Sequence, residues 1–218
     1  MKVITDYPIA IDSPDHLYPW GTAYDNHTNL GFIAEVENYF TNKEKINFLD
    51  IGCSGGQLAV DFCERGHLSV GIEGSNYSVV NERANWPEYH NKNLFTCDAS
   101  KPYKIVDDNN EKIIFDCISS WEVIEHISPD DLGIFFKNIY DHMSEESIFV
   151  GGISLISDCH TCNGRYETPV ELHQSVFPKE YWIDVILSKL FNVEEYPFSN
   201  KVRDESSSFY VKLTKKNG

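Results

Sequence analysis

The feature that most constrains this chain is an alternation of short, nearly continuous apolar runs with segments of helical periodicity. "INFLDIG" (46–52), "HLSVGIE" (67–73), "NLFTCD" (93–98), "KIIFDCISS" (112–120) and "SIFVGGISL" (147–155) read as strands. "GGQLAVDFCERG" (55–66), a segment from about Ser75 with Asn81 and Arg83 on its polar side, and "DLGIFFKNIYDHM" (131–143) read as helices. Strands apolar on both faces must be covered on both faces, and parallel neighbours need a crossover, usually a helix. The pattern predicts an α/β fold: a doubly wound, mostly parallel seven-stranded sheet with helices on both faces. "VEEYPF" and "SFYVKLTK" supply the last strand pair, and "NLGFIAEVENYF" (29–40) a helix that packs on one side ahead of the sheet. "PKEYWIDVILSKLF" (178–191) is one more amphipathic helix, with Tyr181 and Trp182 read as core residues.

With 218 residues, 41% hydrophobic and 24% charged, the chain can close one domain around one substantial core. Its formal charge is −16, and its arginines stand only at 65, 83, 165 and 203. A nucleic-acid reader needs a basic surface to displace counterions from phosphates. No such track is visible beyond a short tail, "KLTKKNG", so nucleic acid is disfavoured as a partner. The longest apolar run, 148–156, is too short to span a bilayer, and "MKVITDYPIAIDSPDH" lacks the apolar block of a signal peptide. Six irregularly spaced cysteines suggest a reducing cytoplasm, with Cys53, Cys63, Cys97 and Cys117 as small buried side chains.

The loop "LDIGCSGGQ" (49–57) joins the first inner strand to its helix, at the rim where open α/β sheets bind ligands. Laid on the dinucleotide fingerprint Gly-x-Gly-x-x-Gly, it offers Gly52, Ser54 and Gln57 and matches only the first position, which disfavours a nicotinamide dehydrogenase. Asp50, just before the loop, suits an ammonium group better than a pyrophosphate. Glu73 closes the second strand, where its two oxygens can take both hydroxyls of a ribose. Asp98 closes the third and can accept from the exocyclic amine of adenine. An amino acid, a ribose and an adenine together describe S-adenosylmethionine.

"FLDIGCSGG", "VGIEGS", "TCDAS" and "FDCISSWEVIEHI" resemble, in order and spacing, the motifs of class I S-adenosylmethionine-dependent methyltransferases over about residues 45–155. The resemblance implies a Rossmann-like fold with Asp50, Gly52, Ser54 and Gly56 at the methionine end of the cofactor. It implies Glu73 at the ribose, Asp98 and Ala99 at the adenine, Ser120 and Trp121 beside the sulfonium, and Gly74 among the cofactor-binding residues. Ser54 departs from the family's usual glycine. On this reading residues 1–44 form an N-terminal lid and a helix packing on the core. Residues 45–218 form the cofactor-binding domain, with a substrate loop at about 156–177.

"WEVIEH" (121–126) follows the fourth of these strands. Glu122, Glu125 and His126 have the i, i+3, i+4 spacing that shares one face of a helical turn. Two carboxylates and an imidazole suit a divalent cation such as Mg²⁺, Mn²⁺ or Zn²⁺. Glu-x-x-Glu-His here also resembles the metal site of small-RNA 3′-terminal 2′-O-methyltransferases and of ubiquinone-pathway O-methyltransferases. In the former a further histidine completes the site, and "ELHQSVFP" (171–178) offers His173. A bound metal would lower the pKa of a substrate hydroxyl; without one, His126 or His173 would serve as general base. A purely structural role, with the acids ordering a helix start, is the competing reading.

In "DCHTCNGRYETPVELHQ" (158–174), Cys159, His160 and Cys162 offer three ligands where a closed zinc site wants four, so a polar loop bearing Arg165 and Tyr166 is the preferred reading. "SPDHLYPWGTAYDNHTN" (13–29) offers Tyr18, Trp20 and Tyr24 for stacking and His16 and His27 for polar contacts, and resembles the start of methyltransferases that modify cell-surface glycans. The expectation is therefore O-methylation of a small polar metabolite such as a sugar, nucleotide-sugar or glycan precursor. N-methylation of a small amine, a metal-dependent RNA 2′-O-methyltransferase and a non-catalytic binding module are the alternatives.

Overall fold

In the computed structural model the apolar runs become the inner strands of one sheet. Residues 1–160 and 169–216 are described, Cys159 and His160 by their backbone alone. The chain opens with β1 (Lys2–Thr5), the short helices α1 (Pro14–Leu17) and α2 (Trp20–Tyr24), and the longer α3 (Leu30–Tyr39). The core follows as β2 (Asn47–Ile51), α4 (Gln57–Glu64), β3 (Leu68–Glu73), α5 (Tyr77–Val80), α6 (Trp86–Tyr89), β4 (Leu94–Thr96) and β5 (Tyr103–Val106). Next come β6 (Phe115–Trp121), α7 (Leu132–Asp141) and β7 (Met143–Ser154). The remainder is β8 (Cys159–His160), β9 (Val170–Glu171), α8 (Lys179–Tyr181), β10 (Phe191–Glu195) and β11 (Ser208–Lys215). The seven-stranded sheet has the order β10-β11-β7-β6-β2-β3-β4, and β11 alone runs against the other strands of that sheet.

Strand alternation sorts the core into two layers. Phe48, Cys117 and Ile148 lie in line across three strands, and the next residues, Leu49, Ile118 and Phe149, point to the opposite face. The first row packs with Phe32, Ile33 and Val36 of α3 and Leu58 and Phe62 of α4. Phe48 and Phe62 stack there at 3.8 Å between ring centroids. The second row packs with Leu132, Phe135 and Ile139 of α7 and with Trp182 and Leu187. Asn29 starts α3 by accepting from the N–H groups of Gly31 and Phe32, a cap typically worth about 1 kcal/mol.

Several elements differ from the sequence pattern. The helix expected from Ser75 breaks into α5 and α6, because Glu82 and Ala84 sit at φ 48° and 50°. Arg83, between them, reaches the Ser78 hydroxyl and the Asp25 carbonyl. The helix expected over 178–191 is α8 followed by a wider turn, Trp182–Ile186, and a tighter one, Leu187–Lys189. Trp182 is in the core, but Tyr181 is exposed and leans on Phe177, since adjacent helical residues diverge in direction. β1 pairs antiparallel with β5, a ribbon too short and too polar to announce itself as apolar runs. Cys53, Cys97 and Cys117 are buried and Cys63 half-buried, all as free thiols. Among the described residues no helix is long and apolar enough to cross a membrane.

His142, after α7, locks that helix to β5. Its Nδ1 donates to the Asn138 carbonyl at 2.8 Å, and its Nε2 accepts from the Ile105 N–H at 3.1 Å. The bond accepted by Nε2 requires the neutral ring, and burial lowers its pKa. The unfolded chain therefore binds a proton that the folded chain resists. The resulting stabilisation is fully present above the unfolded histidine pKa, about 6.5, and is lost as pH falls through the folded value. Urea denaturation between pH 8 and pH 5 is expected to show stability falling on the acid side, with a shallower fall in His142→Gln. An unchanged slope in the variant would exclude His142 as the group responsible.

Candidate active site

The loop after β2 turns because two successive N–H groups, of Gly52 and Cys53, donate to one acceptor, the Ile72 carbonyl, at 2.8 and 3.1 Å. Gly52 takes φ 78°, and a Cβ there would lie 2.3 Å from Val123 Cγ2. Ser54 holds a left-handed φ of 48°, where a side chain is strained. Both its polar groups are tied: the N–H donates to Glu73 Oε2 at 2.9 Å, and Oγ to the Asp25 carbonyl at 2.6 Å. Asn26 Oδ1 accepts from the Gln57 N–H at 3.0 Å, at the first turn of α4. Residues 25 and 26 are thus moored on the glycine loop.

Above the carboxyl ends of β2, β3 and β6 lies a cavity of about 480 Å³, within the range of small-ligand sites. Of the residues expected at the cofactor, Gly52, Ser54, Glu73, Gly74, Asp98, Ala99 and Trp121 line it. Asp50, Gly56 and Ser120 do not line it. Asp50 accepts from the Ser119 hydroxyl at 2.7 Å, and burial, with nearby Glu73, lifts its pKa to about 7. Ser120 and Trp121 are successive strand residues, so only one can face the cavity; Ser120 donates instead to the Ile51 carbonyl at 3.1 Å. Gly56 gives close passage to Leu94, which a Cβ would meet at 2.4 Å. Glu73 Oε1 accepts from the Ser75 N–H at 3.0 Å and the Thr22 hydroxyl at 3.5 Å. Burial raises its pKa against these bonds, and further donors would favour its ionised form. Asp98 Oδ1 accepts from the Ser100 N–H and hydroxyl at 2.9 and 2.6 Å.

"WEVIEH" does not form the expected helical turn. Glu122 has φ 55° and Val123 φ −133°, and only Ile124–His126 closes a 3₁₀ turn. Glu122 therefore leaves the face of Glu125 and His126; its Oε2 accepts from the Ser208 hydroxyl on β11 at 2.7 Å. Of the four residues expected around a metal, Glu125, His126 and His173 converge, with one ligand atom from each within 4.8 Å of the others. Glu122 lines the cavity but stands outside that group.

The three have distinct protonation. Glu125 is 0% exposed, and no side chain among the described residues donates a hydrogen bond to its carboxylate. Burial pushes its pKa up to about 8, with His126 opposing and Glu122 adding to the rise. His173 Nδ1 donates to the Ile156 carbonyl at 2.6 Å, which leaves Nε2 as a lone pair 4.0 Å from Glu125 Oε1 and from Asp158 Oδ2. Burial lowers the pKa of His173. His126 Nδ1 forms an ion pair at 2.6 Å with Asp15 Oδ2 on α1. Burial resists its charge, yet Asp15 and Glu125 raise its pKa to about 9. A buried carboxylate without a side-chain donor, beside a free imidazole lone pair, fits a divalent cation that would displace the extra protons.

Ser13, Asp15, His16, Trp20, Thr22 and Asp25 bring the N-terminal segment to the cavity wall. Tyr18, Tyr24 and His27 do not line it; Tyr24 is exposed against Trp20, and His27 Nε2 lies 3.5 Å from Asp25 Oδ1. Cys162, Arg165 and Tyr166 lie outside the described residues, as do the side chains of Cys159 and His160, and with them the zinc reading. Sequence reasoning missed Asp15, Asp25, Asp158 and Arg203, all on the wall. Arg203 pairs with Asp25 at 2.6 Å from a distant part of the chain, which no local pattern signals.

A methyltransferase domain family model matches residues 24–181. A ubiquinone biosynthesis O-methyltransferase of Pelagibacter ubique is 33% identical over 94 residues, 43% of this chain and 36% of that protein. Another, of Rickettsia typhi, is 24% identical over 142 residues, 65% of this chain and 52% of that protein. The chain thus spans between about a third and about half the length of these curated relatives. An S-adenosylmethionine-dependent methyltransferase of Clostridium acetobutylicum shares the fold with a TM-score of 0.59, at 16% identity over 94% of this chain and 96% of that one. The family match covers more than half of the sequence, and the sheet agrees with it: the chain belongs to the methyltransferase domain family, in its S-adenosylmethionine-dependent class.

Proposed function

We propose that this protein transfers the methyl group of S-adenosylmethionine to a hydroxyl of a small polar acceptor, of the sugar or nucleotide-sugar class. A divalent cation such as Mg²⁺ or Mn²⁺ would be held by Glu125, His126 and His173. The observation that carries this reading is the convergence of the buried Glu125 carboxylate, which no side chain among the described residues hydrogen-bonds, with His126 and the His173 Nε2 lone pair, the two histidines standing on the cavity wall. Transfer to oxygen is supported by the names of the curated relatives, both O-methyltransferases. A small acceptor is supported by the wall itself, which among the described residues carries one arginine and no lysine to follow a nucleic-acid backbone. Trp20 on the same wall offers a ring face for a sugar. Residues 1–44 would cover the site, and Ile156, Ser157, Asp158, Leu172 and His173 on the wall would shape the acceptor side. The free thiols of Cys53, Cys63, Cys97 and Cys117, among the described residues, accord with a cytoplasmic setting.

In this reading Glu73 accepts from the ribose hydroxyls, Asp98 and Ala99 hold the adenine, and Gly52, Ser54 and Gly74 allow the backbone to approach. The bound cofactor supplies an electrophilic methyl on a sulfonium, and a bound cation would lower the pKa of the acceptor hydroxyl. Trp121, on the wall, would border the reacting end, and positioning of donor and acceptor in line supplies much of the acceleration. Glu122, anchored through Oε2 by Ser208, has a buried Oε1 without a partner, which we assign to the acceptor's proton.

Two measurements test this. In calorimetric titration with S-adenosylhomocysteine, Glu73→Ala should weaken binding about 10- to 100-fold, the equivalent of about 1.5–3 kcal/mol for charged hydrogen bonds. An unchanged dissociation constant rejects the ribose assignment. With labelled donor and a panel of sugars and nucleotide-sugars, chelation should abolish methyl transfer and Mn²⁺ restore it, while Glu125→Gln should bind Mn²⁺ weakly in direct titration. Chelator-insensitive turnover would remove the metal from the reading.

A further inference from the structure

We infer that Arg203 and Asp25 form a charge pair that recognises the α-amino-acid end of the cofactor, the guanidinium taking its carboxylate and the aspartate its ammonium. The inference rests on the reading of the cavity as an S-adenosylmethionine site, and it replaces Asp50 as the partner of the ammonium. Asp50 is committed to Ser119 inside the sheet and is absent from the wall.

The wall is acidic, with Asp15, Asp25, Glu73, Asp98, Glu122 and Asp158 among its residues. A carboxylate entering such a wall meets repulsion unless a fixed cation receives it. Arg203 is the one lysine or arginine among the described lining residues. Its Nη1 lies 2.6 Å from Asp25 Oδ2 and its Nη2 3.4 Å from Glu205 Oε1, while its Nε is buried and unpartnered. A guanidinium has five N–H donors in a planar fork, so this one retains donor capacity suited to a two-point grip on a carboxylate.

Asp25 is placed both by its own helix, where its N–H donates to the Gly21 carbonyl at 2.8 Å, and by the glycine loop. Its carbonyl accepts from Ser54 Oγ, the Gly55 N–H and Arg83, which fixes the residue on the loop that the family resemblance assigns to the methionine end. Without ligand, each member neutralises the other, so neither leaves an unpaired charge in the half-buried site. A zwitterionic ligand end offers both the complementary charges at once. The pair comes from the N-terminal segment and from the β10–β11 connection, so two parts of the chain outside the central motifs would close on one end of the ligand.

The test is calorimetric titration of the whole protein and of Arg203→Met with S-adenosylhomocysteine and with 5′-methylthioadenosine, which keeps the adenosine and thioether but lacks the amino-acid chain. Arg203→Met should lose about 10- to 100-fold in affinity for S-adenosylhomocysteine and change by less than about twofold for 5′-methylthioadenosine. Arg203→Lys should recover part of the loss. Retained S-adenosylhomocysteine affinity in Arg203→Met overturns the assignment, and would leave Arg203 to an anionic acceptor. An equal loss for both nucleosides also overturns it, since the residue would then only support the wall. Wild-type protein that binds neither nucleoside defeats the underlying cofactor reading, an outcome distinct from both.

Discussion

The site depends on one steric fact, that Gly52 and Val123 occupy adjoining space. The loop leaving β2 and the segment leaving β6 come from neighbouring parallel strands and must both turn away at the same edge of the sheet. A side chain on Gly52 would overlap Val123, so the loop passes only because none is present. The consequence is chemical. The loop assigned to the methyl donor and the turn that carries Glu122, Glu125 and His126 are held edge to edge, and what binds one lies beside the other.

The second theme is the accumulation of charge where little water reaches. Glu73, Glu125 and Asp50 are buried carboxylates at the carboxyl ends of neighbouring strands, and burial lifts the pKa of each. Glu73 and Asp50 are partly relieved by hydrogen bonds from Ser54, Ser75 and Ser119. Glu125 is partly relieved by His126 and by backbone hydrogen bonds, yet burial still holds its pKa at about 8. A buried carboxylate that stays so far raised against its neighbours costs folding free energy, a pattern that accords with a ligand site more than with stability. The N-terminal segment shares in this balance, since Asp15 pairs with His126 and Asp25 with Arg203.

Much of the fold was legible in the sequence. The inner strands are apolar on both faces, and that alone demands a parallel sheet between helical layers; "NFLDI", "LSVGIE" and "FDCISSW" are buried almost throughout. Glu73, Asp98 and Trp121 could be placed near a common edge because Glu73 and Trp121 end strands of that sheet and Asp98 follows the end of a third by two residues. Tyr181 and the segment after Ser75 were not legible, because helical periodicity does not reveal which of two adjacent residues wins the core, or where φ turns positive.

By itself the sequence determined the layer architecture, the glycine loop and the acids at the strand ends, since these follow from local periodicity and backbone sterics. Tertiary structure alone decided that Asp50 and Ser120 turn inward and that Glu122 departs from Glu125 and His126. It alone set Asp15 against His126 and Arg203 against Asp25. The physical reason is the same in each case. Which face a strand-end residue presents depends on the register and exit angle of its neighbours, and pairs from distant segments are set by how whole layers close, which short-range sequence does not encode.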